Sequence, residues 1–397
     1  MSALVMAALA CAAAGALAEL TARAWIRLRR AYYVCLPCQR LRLHVDRETL
    51  PQLEPVVRFD VNRDGERGPE VPRLRRGETL YRVLVAGGSQ PEGYLLDQDV
   101  NWPGALQRKL SAPEYAGALE ASKVHVGSIA KSGVGSEALD LILERVLPRY
   151  PRLSAIVILV GASDVLRWLE DGAPLAPSSL VPTEELFRCH PEQSFGWTPR
   201  SLAVTELARR AHRRIFTPER VHDRAGRWLR KARAMRAQAR VIRATMPDPR
   251  PMLDHFERHF RRLIGRAQAH ADRVVVVRQS WYRKEPLTPE ESAHMWHGGV
   301  GQAWREDVTT YFSIEVTGRL MALLDARAAR IADSLGVEQI DLMSVLEPNL
   351  GTYYDYFHLT PSGARSVADV VARTLANERP AAGVSGDTSP CVDLRAS

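Results

Sequence analysis

Three residues far apart in the chain are of the types that turn a hydroxyl into a nucleophile: Ser89, Asp355 and His358. A serine hydroxyl attacks poorly until an imidazole takes its proton. A carboxylate on the other ring nitrogen fixes the tautomer and stabilises the imidazolium that forms. Ser89 follows two glycines in "LYRVLVAGGSQPEGY", Leu80 to Tyr94, where an apolar run stops at Ala86. Asp355 and His358 stand three apart in "YYDYFHLTPSGARSVADVVARTL". A phosphate cradle is the rival reading of the glycines. A dinucleotide loop needs G-x-G-x-x-G with an acidic residue ~20 positions on. Here the run is G-G-S-Q-P-E-G, with Pro91 where the helix should begin, and no G-K-[ST] of a P-loop follows. The bland alternatives are a tight turn at the glycines and a surface loop at Asp-x-x-His.

The elements that must position these residues are legible as alternating patterns. Strand-like runs occur at "YRVLVAGG", "KVHVGSIA", "SAIVILVGASD", "RVVVVRQS" and "VEQIDLM". Amphipathic helical stretches such as "SEALDLILERVLPRY" and "EVTGRLMALLDARAARIADSL" lie between them. Continuous apolar strands alternating with such helices predict an α/β fold, a doubly wound parallel sheet covered on both faces. Ligands of open parallel sheets bind beyond the carboxyl ends of the strands. That makes Gly87-Gly88-Ser89, Ala130 to Gly133, Gly161 to Asp164 and Gln279 to Trp281 the informative segments. Thr360 suits a helix N-cap and Pro361 the first helical position, so the loop carrying Asp355 and His358 is anchored by a helix start.

On these blocks the chain resembles the GDSL/SGNH hydrolases from about Tyr81 to Leu375. The resemblance implies a flavodoxin-like sheet. It matches Ser89 to that family's first block, Gly133 to the second, Gly161 and Asp164 to the third, and Asp355 with His358 to the last. It further implies Ser89, Asp355 and His358 as catalytic residues, and Gly133, Ser163 and Asp164 as oxyanion- or substrate-binding residues. The reaction implied is cleavage of an ester through an acyl-enzyme, the ester being an O-acyl group on a carbohydrate, lipid or small molecule. No metal or organic cofactor is required. Transfer of the acyl group to a sugar hydroxyl, or ligand binding by a degenerate relative, are the alternatives on the same residues. The sequence departs from the pattern twice. Gly88 stands where the family has aspartate, and Ser163 where it has the asparagine whose amide helps hold the oxyanion. Loss of one such donor typically costs on the order of 10²–10³ in turnover. Trp281, Tyr282, His294 and His297 could supply a replacement, although wall residues are the plainer reading of each.

The remainder of the 397 residues divides into an N-terminal hydrophobic segment (1–30), an extended connector (31–79), the catalytic domain (80–379) and a disordered tail (380–397). Ala3 to Ala18 is apolar or small and is followed by Arg23, Arg27, Arg29 and Arg30, which predicts membrane insertion as an anchor or a signal. The basic flank argues for a cytoplasmic catalytic domain, while Ala16-Leu17-Ala18 fits an export cleavage site; the extracytoplasmic side is the expectation taken. Five scattered cysteines exclude a disulfide scaffold, and the lone Cys35-Leu-Pro-Cys38 suggests a local disulfide or two idle thiols. The net charge of +8 is concentrated between Arg209 and Arg243, inside an expected insertion or lid at about 165–261 containing a long arginine-rich helical segment. A solvated basic face is the plain reading of that charge and contact with an anionic membrane the sharper one. No nucleic-acid-binding motif accompanies it.

Overall fold

A computed structural model describes residues 2–29, 31–177, 182–217 and 219–376. Its centre is a five-stranded parallel sheet of β1 (Leu80–Gly87), β2 (Lys123–Ser128), β3 (Leu153–Leu159), β4 (Ala271–Arg278) and β5 (Glu338–Asp341). The spatial order is β2-β1-β3-β4-β5, the flavodoxin-like order. All five are the strands expected from the sequence. β3, with Ala155 to Leu159 fully buried, shows why: a strand covered on both faces must be apolar at successive positions, which removes the two-residue alternation. Helices Trp102–Leu110 and Pro361–Leu375 pack together, as do Ser136–Val146, Arg250–His270 and Ile314–Ser334. Because the order reverses between β1 and β3, the carboxyl ends of these strands border the crevice where such sheets bind ligands.

Residues 31–79 do more than connect. Arg40–Val45 pairs antiparallel with Val56–Asp60 and parallel with Glu219–Ala225, forming a second sheet of three strands. Leu41, Leu43 and Val45 are buried and alternate with polar residues, the period of a strand with one covered face. The arginine-rich segment likewise differs from the long helix expected. It breaks into Ala203–Phe216, the strand Glu219–Ala225, Trp228–Ala237 and a short strand Val241–Arg243 paired with Thr310–Phe312. Arg250–His270 is then the helix that covers the sheet ahead of β4.

The N-terminal helix runs from Ala3 to Leu28, with a mean hydropathy of 2.0 over its most apolar stretch, and is long and apolar enough to cross a membrane. Its second half is docked on the protein. Ala22 and Ile26 pack on Ala203, and the carboxylate of Glu19 accepts the N–H groups of Ala203 and Val204 at 2.9 and 3.1 Å, capping the basic helix. Cys35 and Cys38 are free and buried, so the disulfide alternative is not the one observed. The tail at 380–397 lies outside the described residues.

Candidate active site

Gly87 ends β1 against β3. A Cβ there would meet the Leu159 carbonyl oxygen at 1.9 Å, and the next N–H, of Gly88, bonds that same oxygen at 3.1 Å. The first glycine is therefore required by close strand approach. The chain then turns at once into the short helix Ser89–Glu92, which places the Ser89 side chain at the strand's carboxyl end.

His358 comes to that serine from 269 residues away: its Nε2 lies 2.9 Å from Ser89 Oγ. Its Nδ1 lies 2.8 and 3.0 Å from the two oxygens of Asp355. The Asp355 carboxylate is fully buried and accepts three further hydrogen bonds. The backbone N–H groups of Phe357 and His358 donate to Oδ1 at 2.9 and 2.8 Å, and the Trp296 indole N–H donates to Oδ2 at 2.9 Å. Burial alone would raise the pKa of Asp355; the facing charge of His358 and these donors outweigh it and hold the carboxyl below the usual range. For His358 burial works downward, and the Asp355 carboxylate overrides it, leaving the imidazole more basic than an ordinary histidine.

Two polar links tie the pieces together. Gln90, next to the serine and buried, donates to Ser280 Oγ at 2.9 Å and to the Phe357 carbonyl at 2.7 Å. It thus couples the ends of β1 and β4 to the histidine loop. Glu92 accepts the Ser132 N–H at 2.8 Å and also the Ser132 hydroxyl, fixing the loop after β2. In that loop Gly133 adopts φ +76°, left-handed backbone that favours glycine. Among the described residues no acceptor takes the N–H of Ser89 or of Gly133, leaving both for a ligand oxygen.

Ser163 lies in the first turn of helix Ala162–Glu170 after β3, and its Oγ would be 3.8 Å from a Cβ on Gly88. Ser163 therefore borders the turn that carries Ser89. Asp164 is engaged elsewhere: its oxygens accept the Ser136 N–H at 2.9 and 3.0 Å and the Ser136 hydroxyl at 2.5 Å, which caps helix Ser136–Val146. Burial pushes its pKa up to about 6 against those donors.

The four alternative donors are wall and scaffold in this geometry. Trp281 is buried, Tyr282 donates to Glu291 at 2.6 Å, and His294 Nδ1 lies 3.3 Å from the Tyr354 carbonyl. His297 is enclosed by Trp296, Phe357 and His358, with burial depressing its pKa to about 3, so it stays neutral. His297, Asp355 and His358 offer ligand atoms within 4.8 Å of one another. Asp355 is already saturated with hydrogen bonds and the free nitrogen of His358 faces Ser89, so these residues do not fit a resident metal.

The insertion supports the site from behind, which the sequence did not disclose. On helix Trp228–Ala237, Arg233 donates to the carbonyls of Thr49 and Tyr354, both at 2.9 Å. Arg236 donates to the carbonyls of His297 and Phe312, and Trp228 packs edge-on against Trp296 at 4.9 Å.

Fold and site together define an α/β protein with a hydrogen-bonded Ser–His–Asp set at the carboxyl ends of a parallel sheet. No family profile matches the chain, and no curated protein does. Among solved structures it is similar to Axe2, an acetylxylan esterase from Geobacillus stearothermophilus, at 12% identity and TM-score 0.38, covering 75% of this chain and 94% of that one. It is also similar to LAE5, an alpha/beta hydrolase enzyme from the metagenome of Lake Arreo, Spain, at 11% identity and TM-score 0.40, covering 76% and 96%.

Proposed function

We propose that this protein is a serine hydrolase of the GDSL/SGNH type that cleaves an ester through an acyl-enzyme. The observation that carries the reading is the unbroken chain from Ser89 Oγ through His358 to Asp355, with Nε2 2.9 Å from the hydroxyl. Ser89 Oγ attacks the acyl carbon while its proton passes to Nε2 of His358. The negative charge gathers on the former carbonyl oxygen, which the N–H groups of Ser89 and Gly133 receive, with the Ser163 hydroxyl at the same turn. Collapse breaks the ester bond, and the leaving alkoxide takes the proton from His358. A water molecule then repeats the cycle on the acyl-serine, giving up its proton to His358 and releasing the carboxylic acid and the free serine. Asp355 stays ionised throughout.

An O-acyl group on a carbohydrate, lipid or small molecule is the substrate class, and the apolar half of the N-terminal helix supports membrane association. A fluorophosphonate probe on the wild type and on Ser89→Ala tests the chemistry. Labelling of the wild type alone, with turnover of short p-nitrophenyl esters, is expected. No labelling and no turnover would leave a ligand-binding relative in its place. Flotation of the full chain with vesicles, compared with a chain lacking residues 2–18, tests the association.

A further inference from the structure

A second cluster of chemically capable side chains lies outside the serine site, on two helices that pack together. His255 and His259 are four apart on helix Arg250–His270 and so share one face. Glu137 lies in the first turn of helix Ser136–Val146, which packs against them. Both imidazoles turn Nε2 toward its carboxylate: His255 Nε2 is 3.3 Å from Oε2 and His259 Nε2 is 4.0 Å from Oε1. The three ligand atoms lie within 4.8 Å of one another. The side chains of His255, His259 and Glu137 are only 17%, 11% and 24% exposed.

We propose that Glu137, His255 and His259 form a zinc-binding site. Tetrahedral zinc, with bonds of about 2.0–2.1 Å, places its ligands roughly 3.4 Å apart. The Glu137–His255 distance already fits, and the Glu137–His259 distance of 4.0 Å would have to shorten on binding. Two neutral imidazoles and one carboxylate are a donor set that suits zinc rather than magnesium or calcium, which prefer oxygen throughout. The support behind the ligands is also built. Asp140, one helical turn after Glu137, lies 3.3 Å from Nδ1 of His259 and presents that ring's Nε2 to the site. Arg262 and Arg266 hold Asp140 in turn, at 3.2 and 2.7 Å. Three protein ligands leave a fourth position open. Two of the ligands, Glu137 and His255, line a cavity of about 170 Å³ together with Ser163, Asp164, Arg167 and Trp168. A bound ion would thus sit behind the third-block turn, on the cavity that Ser163 also lines. Nothing in this assignment depends on Ser89 being a nucleophile.

The test uses the full chain without an affinity tag, stripped with a chelator and dialysed, then titrated with zinc by calorimetry and with cobalt(II) by visible absorption. One equivalent of zinc, the intense bands of four-coordinate cobalt and a zinc-dependent rise in melting temperature are expected. His255→Gln, on a partly exposed ring, should abolish all three while keeping the melting temperature of the metal-free chain. Asp140→Asn, which keeps every ligand, should weaken zinc by about 10–100-fold. Zinc binding and melting unchanged between wild type and His255→Gln, or cobalt spectra of an octahedral aqua ion, would overturn the proposal. The cluster would then be a hydrogen-bonded helix contact only.

Discussion

The indole N–H of Trp296 and the imidazole Nδ1 of His358 converge on one oxygen, Oδ2 of Asp355, at 2.9 and 2.8 Å. The tryptophan thereby helps to fix the carboxylate that faces the histidine. Trp296→Phe keeps an aromatic ring, though a smaller one, and deletes one hydrogen bond to a buried anion, worth about 1.5–3 kcal/mol. A decline in kcat on the order of tenfold is expected, with KM unchanged and a lower melting temperature. Equal kcat in both proteins would show that the carboxylate is held without the indole.

The pH dependence follows from the two shifts at the triad. In the proposed mechanism His358 must be neutral to accept the serine proton, and its pKa is raised by Asp355. The acid limb of kcat/KM should therefore have its midpoint above the ordinary histidine value of about 6.5. Asp355→Asn should move that limb downward and lower kcat by on the order of 10⁴. Stability has the signs of linkage. The raised His358 contributes fully below about pH 6.5, and its share is lost as pH rises through its folded-state pKa. The depressed Asp355 contributes above about pH 4, and its share is lost as pH falls through its own folded-state value. Asp355→Asn removes both shifts together, so melting temperatures across pH in wild type and this variant measure what the pair contributes as a unit.

In the proposed mechanism Ser163 is the third candidate donor to the oxyanion. If its hydroxyl donates to the developing charge, Ser163→Ala lowers kcat by on the order of 10², with KM little changed, because the interaction belongs to the transition state. Ser163→Asn, which carries an amide of longer reach, should retain or exceed the wild-type kcat. An unchanged kcat in Ser163→Ala would mean that the two backbone N–H groups suffice.

What the sequence disclosed and what it withheld separate along one physical line. β1, β3 and β4 are legible because each carries a continuous apolar run dominated by valine, isoleucine and leucine, a local signal of a buried parallel strand. Ser89, Asp355 and His358 are legible because each lies at an element boundary with its own punctuation: two glycines before the serine, Thr360-Pro361 after the histidine. Trp296, Gln90 and Arg233 carry no such mark. Their roles arise from contacts made across 59, 267 and 121 residues of chain, which no local pattern encodes. The three-stranded sheet was hidden for a related reason. Glu219–Ala225 is largely exposed and rich in charge, so its pairing with Arg40–Val45 shows neither an apolar run nor a clean alternation.

Arg233 gives the insertion a role at the site that mutagenesis can read. Its guanidinium, near the middle of helix Trp228–Ala237, bridges the Thr49 carbonyl of the N-terminal region to the Tyr354 carbonyl beside Asp355. Burial lowers its pKa, but a guanidinium remains charged at any working pH. Arg233→Met preserves the apolar stem and leaves both carbonyls without this donor, which should cost about 1–3 kcal/mol of stability. The loop from Tyr354 to His358 then loses its outer support, so kcat should fall several-fold. The acid limb should stay where it is, because the Asp355–His358 contact is untouched. A shifted limb would instead mean that Arg233 acts through the charge of Asp355, and an unaltered kcat and melting temperature would reduce the helix to a surface feature. Arg233→Lys separates charge from geometry: one ammonium cannot span both carbonyls, so it should resemble Arg233→Met if bridging is what counts.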